Sequence, residues 1–111
     1  MAIDAIYPSL KDKTVLITGG GSGIGEALTR AFIAQSAKVG FLDYDKAASE
    51  MLAAELDSPD LHFEYCDLRD IDALQVAVKA VSAKLGPIRI LVNNAARDDR
   101  HSLESVTSDY F

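Results

Sequence analysis

Only one cysteine, Cys66, occurs in the 111 residues. That excludes an internal disulfide and any zinc site built from cysteines, predicts no metal centre, and fits a reducing, cytoplasmic setting. Basic residues are outnumbered: 11 Lys and Arg against 17 Asp and Glu leave a net charge of −6. This argues against nucleic acid or an anionic membrane as partner, because both need clustered Lys and Arg. Long apolar runs are absent, so no segment approaches membrane-spanning length. The opening residues, Met1 to Pro8, carry neither a basic n-region nor an apolar h-region, and no export is predicted. Repeats and low-complexity stretches are missing too. What remains is 49% apolar residues, enough for one domain of ordinary size with a buried core.

The stretch that organises the chain is Thr18-Gly19-Gly20-Gly21-Ser22-Gly23-Ile24-Gly25. An apolar run, Thr14-Val15-Leu16-Ile17, precedes it, and a helical pattern from Glu26 to Gln35 follows. A glycine turn lets backbone N–H groups approach an anion with no Cβ in the way. The helix behind it points its unsatisfied N–H groups and its positive dipole end at the same anion. Strand, glycine turn and helix in that order predict a cradle for a pyrophosphate. Net negative charge is no obstacle, since such a cradle binds through backbone dipoles.

Ala2 to Lys11 reads as an irregular lead-in. Strands are expected at Lys13 to Thr18, Lys38 to Asp43, Leu61 to Cys66 and Ile88 to Val92. Helices are expected at about Gly23 to Ser36, Lys46 to Leu56 and Asp70 to Leu85. In the first helix, Ile24, Leu28, Ala31 and Phe32 are expected on the buried face. In the third, Ile71, Leu74, Val78, Val81 and Leu85 form the stripe, with Asp70 as N-cap. Asp57-Ser58-Pro59-Asp60 is a turn, and Gly86-Pro87 ends the third helix. A fourth helix is predicted to begin near Val106-Thr107-Ser108-Asp109, with Thr107 as its cap. The β-α-β-α-β-α-β alternation predicts a parallel sheet with right-handed crossovers, the N-terminal part of a Rossmann-like, doubly wound α/β domain.

Asp43 lies 18 residues after Gly25, at the end of the second strand. A dinucleotide site expects an acid about 20 residues on, to accept hydrogen bonds from the adenosine ribose. A carboxylate there repels a 2′-phosphate, and Tyr44 and Ser22 supply no charge to attract one, so the three favour NAD over NADP. The alternative is that Asp43 caps the next turn. Asp67, after the third strand, suits the adenine amino group or a turn into the third helix. Asn93 and Asn94 end the fourth strand on the same edge, as ligand groups or as side chains bridging strands. His62 is expected to be exposed, His101 to lie on a solvated loop, Cys66 to be a buried small hydrophobe, and Tyr110 to be the apolar face of an incipient helix.

These residues resemble the short-chain dehydrogenase/reductases. The likeness is carried by TGGGSGIG at Thr18 to Gly25, Asp43, Cys66-Asp67-Leu68, and Val92-Asn93-Asn94-Ala95-Ala96, where Ala96 departs from the family's usual glycine. The resemblance implies that Gly19, Ser22, Gly23, Ile24 and Gly25 line the pyrophosphate of NAD. It implies that Asp43 takes the ribose hydroxyls, that Asp67 and Leu68 hold adenine, and that Asn93, Asn94 and Ala95 support the sheet and flank the cofactor. Ala5 to Lys11 and Asp98-Asp99-Arg100-His101 look similar to bacterial NAD-dependent sugar 1-dehydrogenases of the D-xylose type.

The family's catalytic Asn, Ser, Tyr and Lys have no counterpart within these residues. Residues 1–111 are thus expected to be one NAD-binding domain, truncated before the catalytic segment. The whole protein would be a homo-oligomer that oxidises an alcohol or sugar by hydride transfer. The competing expectation is a non-catalytic dinucleotide-binding or interaction module, complete at 111 residues. A Rossmann-type methyltransferase also uses a glycine turn and an acid after its second strand, but Asn93-Asn94 and the glycine pattern argue against it.

Overall fold

Every position of the first strand, β1 (Thr14–Thr18), is buried, as a central parallel strand covered by helices on both faces requires. The computed structural model describes residues 6–21 and 23–94. After a 3-10 turn at Pro8–Leu10 and β1 come α1 (Gly23–Ala34), β2 (Lys38–Asp43), α2 (Lys46–Leu56), β3 (Leu61–Tyr65), α3 (Ile71–Leu85) and β4 (Ile88–Asn93). The sheet order is β3-β2-β1-β4, and each pairing is parallel. This is the Rossmann-like doubly wound arrangement, with the chain reversing direction across the sheet at β1.

Alternation along the strands sends side chains to two cores. Val15, Ile17, Val39 and Phe41 meet Leu28, Phe32 and Ile33 of α1 and Leu52 and Leu56 of α2. Leu16, Leu42 and Cys66 meet Ala77, Val81 and Leu85 of α3 on the other face. Phe41 is fully buried and stacks on Phe63 at 5.1 Å between ring centroids; burial of such a side chain contributes about 1.5–3 kcal/mol. Gly40 is glycine for a packing reason: a Cβ there would fall 2.4 Å from Val81 Cγ1.

Helix ends follow local chemistry. Asp70 caps α3 as expected, its side chain accepting from the Ala73 N–H at 3.1 Å, and Asp45 caps α2 by accepting from Ala48 N–H at 3.1 Å. Gly86, at φ 96°, ends α3. The buried Thr14 hydroxyl then donates to the Leu85 carbonyl at 2.8 Å, fixing that end beside β1.

The apolar face of α1 differs from the expected one. Ile24 is 74% exposed and Ala31 is exposed. The inward positions are Gly25, Leu28, Thr29, Phe32 and Ile33, a face rotated by about one residue. Gly25 must face inward to meet the glycine turn, and Thr29 is tolerated there because its hydroxyl lies 2.9 Å from the Gly25 carbonyl and 3.1 Å from that of Gly20. Smaller differences accompany it: β1 begins at Thr14 and α1 ends at Ala34. The lead-in contains the Pro8–Leu10 turn, β3 ends at Tyr65, and β4 extends to Asn93. His62 is half-buried rather than exposed, with Nε2 2.7 Å from Glu64 Oε1. The expected fourth helix, His101 and Tyr110 lie outside the described residues.

Candidate functional site

Parallel strands bring their carboxyl ends to one edge, so the segments after β1, β2, β3 and β4 converge there. The glycine turn occupies this edge. Gly19 and Gly23 take φ of 71° and 58°, a left-handed backbone that glycine enters without penalty. The Gly19 N–H donates to the Leu42 carbonyl at 2.6 Å, so Gly19 shapes the turn through its backbone conformation while its amide is held by β2. A Cβ on Gly25 would lie 1.7 Å from the Gly19 carbonyl oxygen; only glycine lets the start of α1 close on the turn. At Gly23 the reverse holds: a Cβ would meet nothing within 4 Å. That open side lies at the helix N-terminus, where the first N–H groups have no intrahelical partner. The backbone at Gly23 is therefore open on the side a Cβ would take, and the Ile24 side chain that follows is exposed.

Asp43 ends β2 and is only 7% exposed. Its Oδ2 accepts from the Gly21 N–H at 2.9 Å and its Oδ1 from the Asp45 N–H at 2.9 Å. The capping alternative is thus realised, and Asp43 also holds the glycine turn against β2. Each oxygen retains further acceptor capacity.

Asn93 and Asn94 fasten the other side. The Thr18 hydroxyl lies 3.0 Å from Asn93 Oδ1 and accepts from the Asn94 N–H at 3.0 Å. Asn94 Nδ2 donates to the Gly19 carbonyl at 3.1 Å. The bridging role foreseen for the two asparagines is therefore present: they lock β4 to β1 and to the turn.

Asp67 makes the turn into α3. Its Oδ1 accepts from the Arg69 N–H at 3.0 Å, and the Arg69 guanidinium clasps both carboxylate oxygens at 3.0–3.1 Å. Leu68 is packed against the α3-side core. Ser22 and Ala95 lie outside the described residues. The hydrogen bonds join Asn93 and Asn94 to Thr18, Asn94 to Gly19, and Asp43 to Gly21; Asp67 and Leu68 share the same sheet edge. Residues missed by the sequence reading are Thr29, Ser49 and Arg69; Thr18 and Gly21 stood in the motif, but their bonds to Asn93, Asn94 and Asp43 were not foreseen. Thr29 left a signal, a polar residue four positions after Gly25 on an otherwise apolar helix face. Arg69 left none, since nothing in its spacing marks it as the partner of Asp67.

Surface charge at the helices is local. Arg30 of α1 joins Glu55 of α2 and Glu26 of its own helix, the latter at 3.0 Å, and these contacts, Glu55 first, raise the guanidinium pKa above its ordinary value. Among the described residues, no helix is long and apolar enough to cross a membrane.

An open parallel sheet with a glycine turn between β1 and α1, and an acid after β2, defines a Rossmann-like nucleotide-binding architecture. The short chain dehydrogenase family profile matches residues 13–111. The chain belongs to the short-chain dehydrogenase family. It is 50% identical over 109 residues to the D-xylose 1-dehydrogenase of Caulobacter vibrioides, an alignment covering 96% of this chain and 42% of that protein. It is 49% identical over 107 residues to a Rhizobium meliloti protein named "Probable galactose dehydrogenase GalD", covering 93% of this chain and 41% of the other. The chain thus spans about two-fifths of the length of these curated relatives. Among solved structures, the 3-ketoacyl-(acyl-carrier-protein) reductase of Brucella melitensis, complexed with NADH, superposes with a TM-score of 0.70 at 36% identity, covering 74% of this chain and 33% of that one.

Proposed function

We propose that these residues are the cofactor-binding part of an NAD-dependent short-chain oxidoreductase that oxidises an alcohol, with a sugar 1-hydroxyl as the substrate group. The observation that carries the cofactor choice is Asp43, a carboxylate fixed at the end of β2 by two backbone N–H groups. Its remaining lone pairs suit the ribose diol of NAD, and its charge opposes the 2′-phosphate of NADP. The open space beside Gly23 and the N–H groups of the first turn of α1 fit a pyrophosphate. In this reading Asp67 and Leu68 hold the adenine, and Asn93 and Asn94, at the end of β4, flank the cofactor; the family resemblance adds Ala95 to them. When bound, the nicotinamide takes up the hydride. The residues of this chain bind and orient; in this reading, the groups that accept the hydroxyl proton and form the oligomer belong to other parts of the protein. The sugar assignment is supported by the two relatives named above.

The test is calorimetric titration of the full gene product with NAD and with NADP, before and after Asp43→Ala. NAD should bind more tightly to the unaltered protein. Loss of a hydrogen bond to a charged group costs roughly 1.5–3 kcal/mol, so Asp43→Ala should weaken NAD by roughly 10- to 150-fold, and NADP far less. Equal losses for the two dinucleotides would remove Asp43 from ribose recognition. NADH formation on adding D-xylose or D-galactose checks the substrate class, and the absence of turnover with any aldose would exclude it.

A further inference from the structure

Ser49 is the fourth residue of α2 and fully buried, and its hydroxyl has no hydrogen-bond partner among the described residues. A buried hydroxyl without a partner is costly, and alanine would be the better helix former at that position. The surroundings are specific. A Cβ on Gly21 would lie 2.2 Å from Ser49 Oγ and 2.9 Å from Asp43 Oδ2. Ser49 Oγ and Asp43 Oδ2 therefore face the same side of Gly21, in the space that a side chain at position 21 would occupy. Asp43 Oδ2 accepts only the Gly21 N–H among the described hydrogen bonds.

We propose that Ser49 is a positioning residue for Asp43, a spare donor held beside the carboxylate. The inference rests on the reading of Asp43 as the ribose acceptor. Ribose hydroxyls would add their bonds to a carboxylate oxygen that already accepts the Gly21 N–H. If the ribose draws Oδ2 from the amide, a donor must replace it, or buried negative charge is left poorly satisfied. The Ser49 hydroxyl, on the same side of Gly21 as Asp43 Oδ2 and without a partner of its own among the described residues, is the donor for that bond. Gly21 is then required as much for the room it leaves Ser49 as for the turn itself. The unpartnered hydroxyl weakens the cofactor-free protein and strengthens the cofactor-bound one.

The experiment compares Ser49→Ala and Ser49→Cys in the full gene product. Cysteine fills the same space but donates weakly. Both variants should melt, without cofactor, no lower than the unaltered protein. Both should bind NAD about five- to tenfold more weakly, the loss expected for one net hydrogen bond, while NADP binding changes less, so the NAD-to-NADP preference falls. In an Asp43→Ala background, Ser49→Ala should have no further effect on NAD. NAD affinity within twofold of the unaltered protein, an equal loss for both dinucleotides, or an undiminished Ser49 effect without Asp43 would each overturn the proposal. If NAD binding depends on Asp43 but not on Ser49, only this inference fails. If the unaltered protein does not bind NAD, the cofactor reading fails and this inference with it.

Discussion

Asn94 Nδ2 donates to the Gly19 carbonyl across 3.1 Å, joining the chain just past β4 to the first residue of the glycine turn. This side-chain amide adds to the β1–β4 pairing a link between segments about 75 residues apart in sequence. Asn94→Ala should lower stability by about 1 kcal/mol, as for one net hydrogen bond at a partly buried site. Asn94→Asp should be worse than alanine, because it sets a carboxylate against a carbonyl oxygen. Urea unfolding of the three proteins checks the order; an aspartate variant as stable as the unaltered protein would show that the amide does not hold the turn.

Gly25 and Gly23 make opposite predictions although both belong to the glycine motif. An alanine Cβ at position 25 would lie 1.7 Å from the Gly19 carbonyl, a distance no small relaxation accommodates. Gly25→Ala must force the turn away from α1, and dinucleotide binding should fall below detection in calorimetry. Gly23→Ala meets no atom, but φ is 58° there, so the cost is the left-handed strain of about 1–2 kcal/mol, with weakened rather than abolished binding. Equal binding by the two variants would contradict the geometry.

Why the face of α1 was legible only in part follows from these same residues. Hydrophobic periodicity located the helix but turned its buried face by one position. The inward residues Gly25 and Thr29 are not apolar; they face inward for a close backbone approach and a hydroxyl bond, neither of which periodicity registers. The strands, by contrast, are apolar at nearly every position because both faces are covered. Their boundaries were therefore readable to within a residue or two, while their order in the sheet came only with the structure. The acid at Asp43 was readable from its spacing, and its grip on the Gly21 N–H was not, since that contact depends on how the turn folds back across β2. Ser49 was invisible for a related reason: a serine in a helix of alanine and glutamate carries no mark of what stands opposite it.

Gly40 and Val81 show the same coupling within the core. A Cβ on Gly40 would fall 2.4 Å from Val81 Cγ1 and 3.2 Å from Val81 Cβ. Gly40→Ala should therefore overpack the β2–α3 contact and cost about 1–3 kcal/mol. Val81→Ala leaves a cavity and should cost a similar amount, about 1–3 kcal/mol. Together they should cost less than their sum, because the new methyl occupies part of the vacated space. Denaturant midpoints for the four proteins form the cycle, and strict additivity would show that the two side chains do not compete for one volume.

Cys66, just after β3, packs in the core beside α3 and is 1% exposed. Burial pushes its thiol pKa above the ordinary value of 9.0, and the charges of Asp67, Asp70 and Glu64 push it the same way. The direction fixes two outcomes. At neutral pH the native thiol should react with an alkylating reagent far more slowly than the same thiol in urea, since it is both occluded and held protonated. As the folded pKa exceeds the unfolded one, the unfolded chain gives up this proton first on raising the pH. The stability contributed by the neutral thiol is complete below the ordinary thiol pKa and is lost as pH rises through the folded value. Cys66→Ala removes the titration at the cost of a small cavity. The variant should start less stable at neutral pH, and the unaltered protein should lose stability more steeply on the alkaline side, so that the two converge. Parallel alkaline declines for the two proteins would show that the thiol's burial does not couple its proton to the fold.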